Sequence, residues 1–173
     1  MRKVMIGIVV RFAGIAQAEE VVIAALGDSL TQGYGLPAEQ GFVPQLQAWL
    51  DANGAEVRLI NAGVSGDTTA GGLARVDWTL TPDVDGMIVA LTGILTAAQV
   101  AEVEVLLVGM QAPGNYGEDY KADFEGIYPE LAKDFDTLYL DSFFAGLTEE
   151  QESEDLSAYR ALFQGDGVHP NAE

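Results

Sequence analysis

Short apolar runs alternate with amphipathic segments along most of the chain, and this alternation limits the fold more than any other feature of the sequence. The apolar, often β-branched runs predict strands at residues 21–26, 57–60, 87–91, 103–110 and 137–140. Helical spacing and helix start and stop signals predict helices at residues 37–52, 68–76, 92–101, 120–133 and 152–163. Strands that alternate with helices predict a parallel sheet covered on both faces. The expected fold is therefore α/β, a three-layer sandwich with a central, mostly parallel sheet.

Composition places the chain among globular proteins and excludes several kinds of chemistry. With 173 residues, of which 49% are hydrophobic, the chain can build one core of ordinary size. It has no cysteine, which excludes disulfides, thiolate metal sites and cysteine nucleophiles. A single histidine excludes a multi-histidine metal centre. We expect neither a metal ion nor another cofactor.

The charge balance bears on the choice of partners. The chain carries 27 acidic and 8 basic side chains, which gives a formal net charge of −19. Nucleic acids and anionic membranes would be repelled, because binding them depends on clustered lysine and arginine. No apolar run approaches the roughly 20 residues of a membrane-spanning helix. We expect a monomer with no nucleic-acid partner and no stable membrane insertion.

The first 18 residues differ from the rest of the chain. Two basic residues precede an apolar stretch at residues 4–10, and Ala16-Gln17-Ala18 is a small-x-small cleavage signal. This pattern is typical of a secretory signal peptide and predicts a periplasmic or secreted protein that is cleaved after Ala18. Arg11 interrupts the apolar stretch, so an ordinary N-terminus is the alternative. Residues 19–173 are expected to form a single domain.

Three chemistry-bearing side chains lie in loops of the predicted fold. Ser29 follows the first predicted strand in a Gly-Asp-Ser turn, which can leave its hydroxyl exposed. His169 is the only histidine, and Asp166 precedes it by three residues in a glycine-containing turn that can bring the carboxylate onto one ring nitrogen. A hydroxyl, an imidazole and a carboxylate are the groups that nucleophilic acyl transfer requires.

Together, three segments resemble the sequence blocks of the GDSL or SGNH hydrolases. The segments are Gly27-Asp28-Ser29-Leu30 with residues 31–35, then residues 61–69 (NAGVSGDTT), then Asp166-Gly167-Val168-His169-Pro170. They occur in the family's order, and the likeness runs from about Val21 to the C-terminus. It is greatest to the small secreted bacterial arylesterases and the thioesterase/lysophospholipase type. The resemblance implies the flavodoxin-like SGNH-hydrolase fold.

The resemblance also implies a function and a role for each matching residue. Ser29 would be the nucleophile of a serine carboxylic-ester hydrolase that acts on a small acyl ester through an acyl-enzyme. His169 would be the general base and then the general acid, and Asp166 would orient it. The backbone N–H groups of Ser29 and Gly66 would donate to the oxyanion of the tetrahedral intermediate.

The sequence departs from the family pattern in two places. The family has a Gly-x-Asn-Asp block just after the strand that ends here at Leu91, and its asparagine is a third oxyanion donor; this block is missing. The remaining segment, residues 92–102, is at the lower limit for a parallel crossover. The final helix of relatives is also missing after His169, so a poorly positioned base is expected.

Two alternatives to a working hydrolase remain, and the first of them rests on the missing asparagine block. The first is a catalytically impaired ligand-binding protein that keeps the SGNH fold and its crevice. The second is a flavodoxin-like binder of phosphate or nucleotide, which is the weaker alternative because the loop after the first strand lacks a Gly-x-Gly-x-x-Gly or P-loop pattern.

Overall fold

A computed structural model describes residues 20–89, 94–112, 114–148 and 156–172. Several sequence predictions fall outside these residues. They concern the leader at residues 1–18, the site of the missing Gly-x-Asn-Asp block at residues 90–93, and the first part of the helix predicted at residues 152–163.

In the described part of the chain, five strands form one parallel sheet in the order β2-β1-β3-β4-β5. The strands are β1 (Val21–Gly27), β2 (Val57–Gly63), β3 (Gly86–Val89), β4 (Glu104–Val108) and β5 (Leu138–Leu140). Every neighbouring pair is parallel, which confirms the predicted α/β fold with its central sheet.

Helices connect the strands, and most of them were predicted. The α-helices are α1 (Ser29–Gln32), α2 (Phe42–Ala52), α3 (Thr69–Thr79), α4 (Leu95–Val100), α5 (Glu118–Phe135) and α6 (Ala145–Thr148). Short 3₁₀ segments occur at Ala38–Gln40, Gly114–Tyr116 and Leu156–Leu162. The last of these corrects the helix predicted at residues 152–163, because the backbone of Tyr159 leaves helical geometry there and breaks the segment into short turns.

The core lies on both faces of the sheet. Ala24, Ala25 and Leu26 are consecutive in β1 and all are buried. Successive side chains of a strand point to opposite faces, so both faces of β1 are covered. Fully burying one side chain of the size of Leu26 stabilises the fold by roughly 1.5–3 kcal/mol.

The strand register brings several loops to one edge of the sheet. Gly27 at the end of β1 pairs with Gly63 at the end of β2, and Leu26 pairs with Val89 at the end of β3. Strands β3 and β4 are both shorter than predicted, so more residues lie between them than the sequence analysis expected. Residues 90–103 are therefore available to the crossover from β3 to β4, and a parallel crossover needs about a dozen residues.

Candidate active site

Ser29 lies at the turn from β1 into α1. The Asp28 carboxylate accepts a hydrogen bond of 3.0 Å from the N–H of Leu30 and so caps the N-terminus of α1. Gly33 ends this one-turn helix in the left-handed conformation, with a φ of 88°. Ser29 is the first residue of α1 and is half-buried. The turn therefore holds its hydroxyl at the carboxyl edge of the sheet.

The structure brings Ser29, His169 and Asp166 together in one hydrogen-bonded row. The Oγ of Ser29 lies 2.7 Å from Nε2 of His169. The other ring nitrogen, Nδ1, lies 2.8 Å from Oδ2 of Asp166. With its proton on Nδ1, the imidazole donates to the carboxylate and accepts from the hydroxyl. This arrangement can remove a proton from Ser29 while the carboxylate balances the charge that forms on the ring.

The turn between Asp166 and His169 fixes the carboxylate in its ionised form. Oδ1 of Asp166 accepts hydrogen bonds from the backbone N–H of Val168 at 2.9 Å and of His169 at 3.0 Å. These two bonds, followed by the bond from the His169 side chain, lower the pKa of Asp166 to about 2. Asp166 is therefore a carboxylate throughout the neutral range.

Hydrogen bonds on both sides hold the loop that carries His169. The carbonyl of His169 accepts from the N–H of Gln164 at 2.7 Å, and Phe163 forms a bridge with Pro170. The Gln164 amide donates to the carbonyls of Tyr34 at 2.7 Å and of Pro170 at 2.9 Å, which ties this loop to the one after α1. The Tyr34 ring also packs on the imidazole at a centroid distance of 4.8 Å. The expectation of a poorly positioned base is therefore wrong.

Gly66 lies in the loop after β2, which meets the Ser29 turn at the same edge of the sheet. Its φ of 77° is in the left-handed region that favours glycine. The two loops touch, because the Ser65 hydroxyl donates to the Gln32 side chain at 2.8 Å and a Cβ at Gly63 would overlap the Gln32 backbone. Among the described residues, the N–H groups of Ser29 and Gly66 have no hydrogen-bond acceptor. Both are therefore available to a ligand oxygen.

Arg75, on α3, is a residue that the sequence analysis missed. Its guanidinium donates to the Gly27 carbonyl at 2.9 Å, to the Ala62 carbonyl at 2.6 Å and to the Asp67 carboxylate at 2.7 Å. The bond from Arg75 is the main cause that lowers the pKa of Asp67. Arg75 thus joins the turn before Ser29 to the loop that carries Gly66. The available signal was that Arg75 is the only basic residue between Arg58 and Lys121.

Two cavities adjoin the Ser29 turn, and the first of them is lined by Ser29 and His169. The first, which we call the histidine-side cavity, has a volume of about 270 Å³. Its lining includes Ser29, His169, Tyr34, Phe42, Phe144 and Leu147. The second, which we call the α5-side cavity, has a volume of about 350 Å³. Its lining includes Thr31, Met110, Phe124, Ile127 and Tyr128. Leu30 and Phe143 line both cavities and form the wall between them.

The described residues contain neither a candidate metal site nor a candidate membrane span. No group of three or more histidine, aspartate or glutamate side chains lies there in a position to hold a metal ion. No helix in the described ranges combines the length and the apolar character needed to cross a membrane.

Known proteins with similar sequences are esterases. A model of the GDSL-like Lipase/Acylhydrolase family matches residues 25–93, a range that includes Ser29 and Gly66. Esterase TesA of Pseudomonas aeruginosa is 32% identical over 173 residues, which cover 89% of this chain and 82% of that protein. Thioesterase 1/protease 1/lysophospholipase L1 of Escherichia coli (strain K12) is 32% identical over 177 residues, which cover 91% of this chain and 78% of that protein.

A solved structure extends the similarity to the fold. The crystal structure of AlinE4, an SGNH-hydrolase family esterase, superposes with a TM-score of 0.75 at 36% sequence identity. The match covers 91% of this chain and 89% of AlinE4. The chain therefore belongs to the GDSL-like lipase/acylhydrolase family, the SGNH hydrolases, and is a carboxylic-ester hydrolase.

Proposed function

We propose that the chain hydrolyses uncharged carboxylic esters through an acyl-enzyme formed on Ser29. The observation that supports this most is the continuous row of hydrogen bonds, 2.7 Å from Ser29 to His169 and 2.8 Å from His169 to Asp166. These distances are within the reach that proton transfer between a nucleophile and its base requires.

The reaction has two halves. In the first, Nε2 of His169 takes the hydroxyl proton of Ser29 while Oγ forms a bond to the ester carbonyl carbon. The resulting oxyanion accepts hydrogen bonds from the N–H groups of Ser29 and Gly66. The intermediate collapses, His169 gives its proton to the leaving alkoxide oxygen, and the acyl group stays on Ser29. In the second half, His169 takes a proton from water while the water oxygen forms a bond to the acyl carbon. The bond from Oγ of Ser29 to the acyl carbon then breaks, His169 returns the proton to Oγ, and the carboxylic acid leaves.

The ionised Asp166 makes this proton transfer easier. His169 becomes an imidazolium each time it takes a proton, and a carboxylate 2.8 Å away stabilises that charge. The hydrogen bonds that lower the pKa of Asp166 to about 2 also keep it from taking the proton itself. Asp166 is therefore a positioning and electrostatic partner.

Hydrolysis of 4-nitrophenyl acetate by the parent and by Ser29→Ala tests this proposal. The Ser29→Ala variant should lose at least about 10³ in kcat/KM, because a residue that acts within a catalytic unit carries most of the unit's effect. Acid-quenched parent protein should carry an acetyl group on the peptide that contains Ser29. If the parent binds the ester but neither releases nitrophenol nor becomes acetylated, it is a ligand-binding protein and the proposal fails.

We also propose that the protein is exported and acts as a monomer outside the cytoplasm. The basic start, apolar stretch and Ala16-Gln17-Ala18 signal support export. N-terminal sequencing of exported protein should begin at Glu19, and gel filtration should give the size of one chain. Cytoplasmic protein that retains Met1, or a stable dimer, would contradict the corresponding part.

A further inference from the structure

We infer that Gln164 is a positioning residue that keeps Nε2 of His169 beside Oγ of Ser29 throughout the reaction. It joins the loop of residues 164–171, which carries His169, to the loop of residues 33–36, which follows α1. The inference rests on the proposed function, because it concerns the placement of the proposed base. It goes further by naming the side chain that holds this base when the bond to Ser29 is lost.

The hydrogen bond between Ser29 and His169 is not enough to keep the two loops together. When Ser29 is acylated, its Oγ has no proton to donate to Nε2 of His169. His169 must nevertheless stay in place at this stage, because it then takes a proton from water beside the acyl group. A contact between the loops that takes no part in the chemistry is therefore needed.

The Gln164 side chain makes such a contact. Its Nε2 donates at 2.7 Å to the carbonyl of Tyr34, 130 residues away along the chain, and at 2.9 Å to the carbonyl of Pro170. Pro170 directly follows His169, and the Tyr34 ring packs on the imidazole. Both acceptors of this one amide therefore belong to residues that adjoin the base.

The backbone of Gln164 holds the base from within its own loop. The Gln164 N–H donates to the carbonyl of His169 at 2.7 Å, and the Gln164 carbonyl accepts from the N–H of Gly167 at 2.9 Å. Gln164 thus faces His169 across the turn that contains Asp166. A displacement of Gln164 would therefore also displace the backbone of His169.

Gly35 provides the space in which the Gln164 carboxamide lies. A Cβ at position 35 would overlap Oε1 of Gln164 and would lie 3.0 Å from its Cδ and Nε2. The φ of Gly35 is 75°, in the left-handed region that favours glycine. The carboxamide therefore lies directly against the Gly35 backbone, and a side chain at position 35 would push it away.

Replacing Gln164 with methionine tests the inference. Gln164→Met keeps the length of the side chain but has no N–H to donate to the two carbonyls. We expect kcat for 4-nitrophenyl acetate to fall by about 10² without a rise in KM, because a displacement of about 1 Å at a catalytic group costs that factor. Rates are divided by the amount of active protein, which the initial burst of nitrophenol measures.

The decay of the acyl-enzyme separates positioning from a loss of folded protein. Mass spectrometry follows the acetyl group on Ser29 after the ester is removed. In Gln164→Met this decay should slow by at least the factor found for acylation, because acetylated Ser29 no longer helps to hold His169. A smaller amount of folded protein would leave the decay rate unchanged.

Two further variants separate hydrogen bonding from packing. Gln164→Glu keeps the shape, but an ionised carboxylate cannot donate to either carbonyl, so kcat should be no higher than in Gln164→Met. Gly35→Ala displaces the carboxamide from the other loop and should also lower kcat, even if Gln164→Met does not fold. The double variant Gly35→Ala/Gln164→Met should lose less than the product of the two single losses, because both changes break one contact.

Gln47→Met is the matched control. The Gln47 amide also joins two elements, since it donates at 2.8 Å to Asp51 in α2 and at 2.8 Å to the carbonyl of Val57 in β2. Gln47 lines neither of the two cavities. Gln47→Met should lower the unfolding midpoint but leave kcat and the decay of acetyl-Ser29 at their parental values.

The inference is overturned if Gln164→Met or Gln164→Glu keeps the parental kcat and the parental decay of acetyl-Ser29. Losses that multiply in the double variant would also overturn it, because Gly35 and Gln164 would then act separately. An equal loss of kcat in Gln47→Met would show a general effect of stability. In all these cases the parent is still acetylated on Ser29, whereas a parent that is never acetylated would mean that the proposed function itself has failed.

Discussion

Asp166 uses its two carboxylate oxygens for different purposes. Oδ1 accepts the backbone N–H groups of Val168 and His169 and shapes the turn, while Oδ2 faces Nδ1 of His169. One side chain thus builds the loop and selects the imidazole tautomer. A separation of three residues between Asp166 and His169 is therefore enough for one carboxylate to hold both the turn and the imidazole ring.

Replacing Asp166 with asparagine separates these two purposes. In Asp166→Asn, the amide oxygen can still accept the two backbone N–H groups, but the amide nitrogen then faces Nδ1 and favours the proton on Nε2. His169 can no longer accept the proton of Ser29, so kcat should fall by about 10²–10⁴. Steady-state hydrolysis of 4-nitrophenyl acetate measures this. An asparagine variant with parental kcat would show that Asp166 does not set the tautomer.

The Asp166→Asn variant also tests how the contribution of Asp166 to the stability of the folded protein depends on pH. The pKa of Asp166 is lowered from 3.8 to about 2, so its ionised form stabilises the folded protein above about pH 4. That contribution is lost as the pH falls toward 2. The difference in unfolding midpoint between parent and Asp166→Asn should therefore shrink between pH 4 and pH 2. A difference that grows over this range would contradict the lowered pKa.

Arg75 positions the two loops that carry the proposed oxyanion donors. Arg75→Met removes its bonds to the Gly27 and Ala62 carbonyls and to Asp67. A displacement of about 1 Å at the oxyanion should lower kcat by about 10² with little change in KM. The kcat of Arg75→Lys should lie between those of the parent and of Arg75→Met, because lysine keeps the charge but not the planar guanidinium.

The matched control for Arg75 is Arg58→Met. Arg58 is exposed and pairs with Glu20 and Asp83 far from the Ser29 turn. Exposed ion pairs contribute little to stability, so this variant should keep parental kcat. If Arg75→Met and the parent have equal kcat, and circular dichroism shows that both are folded, Arg75 does not position the oxyanion donors.

At the scale of elements, the sequence predicted those that carry a periodic or apolar pattern. The apolar run of β1 and the helical spacing of α5 are long enough to be recognised without a structure. Both α1 and α6 have four residues, which is too short for any periodicity, so they were missed. The row from Ser29 to Asp166 was predicted through the family resemblance, because its hydroxyl and imidazole come from distant parts of the chain.

The contacts of Arg75 show why part of the site could not be predicted from the sequence. Two of its three acceptors are backbone carbonyls, at Gly27 and Ala62, and every residue type has such a carbonyl. No sequence pattern marks which carbonyls a guanidinium will meet. Their position follows only from the parallel register of β1 and β2.

The short connection between β3 and β4 leads to a prediction for this element. Without the asparagine of the missing block, the proposed oxyanion hole has the two donors at Ser29 and Gly66. Inserting a connection that contains Gly-Gly-Asn-Asp after Leu91 should raise kcat by about 10²–10³, because the loss of one oxyanion donor lowers kcat by that factor. An insert of equal length with Gly-Gly-Ala-Asp is the control and should give no gain. Equal kcat for both folded inserts would show that another group already fills that place.

At the scale of the whole molecule, the charge of the chain selects among esters. A formal net charge of −19 repels anions, and each nearby pair of like charges costs about 1 kcal/mol at 4 Å in water. This repulsion is screened beyond a Debye length of about 8 Å at physiological salt. Neutral esters should therefore be preferred over acyl-CoA of the same chain length.

Salt dependence provides the measurement for this preference. We expect kcat/KM for acyl-CoA to rise as ionic strength increases, because screening weakens the repulsion, while the value for a neutral ester changes little. A value for acyl-CoA that exceeds that of the neutral ester at low salt, and that does not rise with salt, would contradict the electrostatic account.

Covalent labelling of Ser29 tests the central claim most directly. A small alkyl fluorophosphonate should form one adduct, and mass spectrometry of the digested protein should place it on Ser29 and not on Ser65, whose hydroxyl donates to Gln32. His169→Ala should slow the labelling by about 10² or more, since a general base contributes that much, and Ser29→Ala should abolish it. An adduct on another residue, or equal labelling of the parent and Ser29→Ala, would contradict the account.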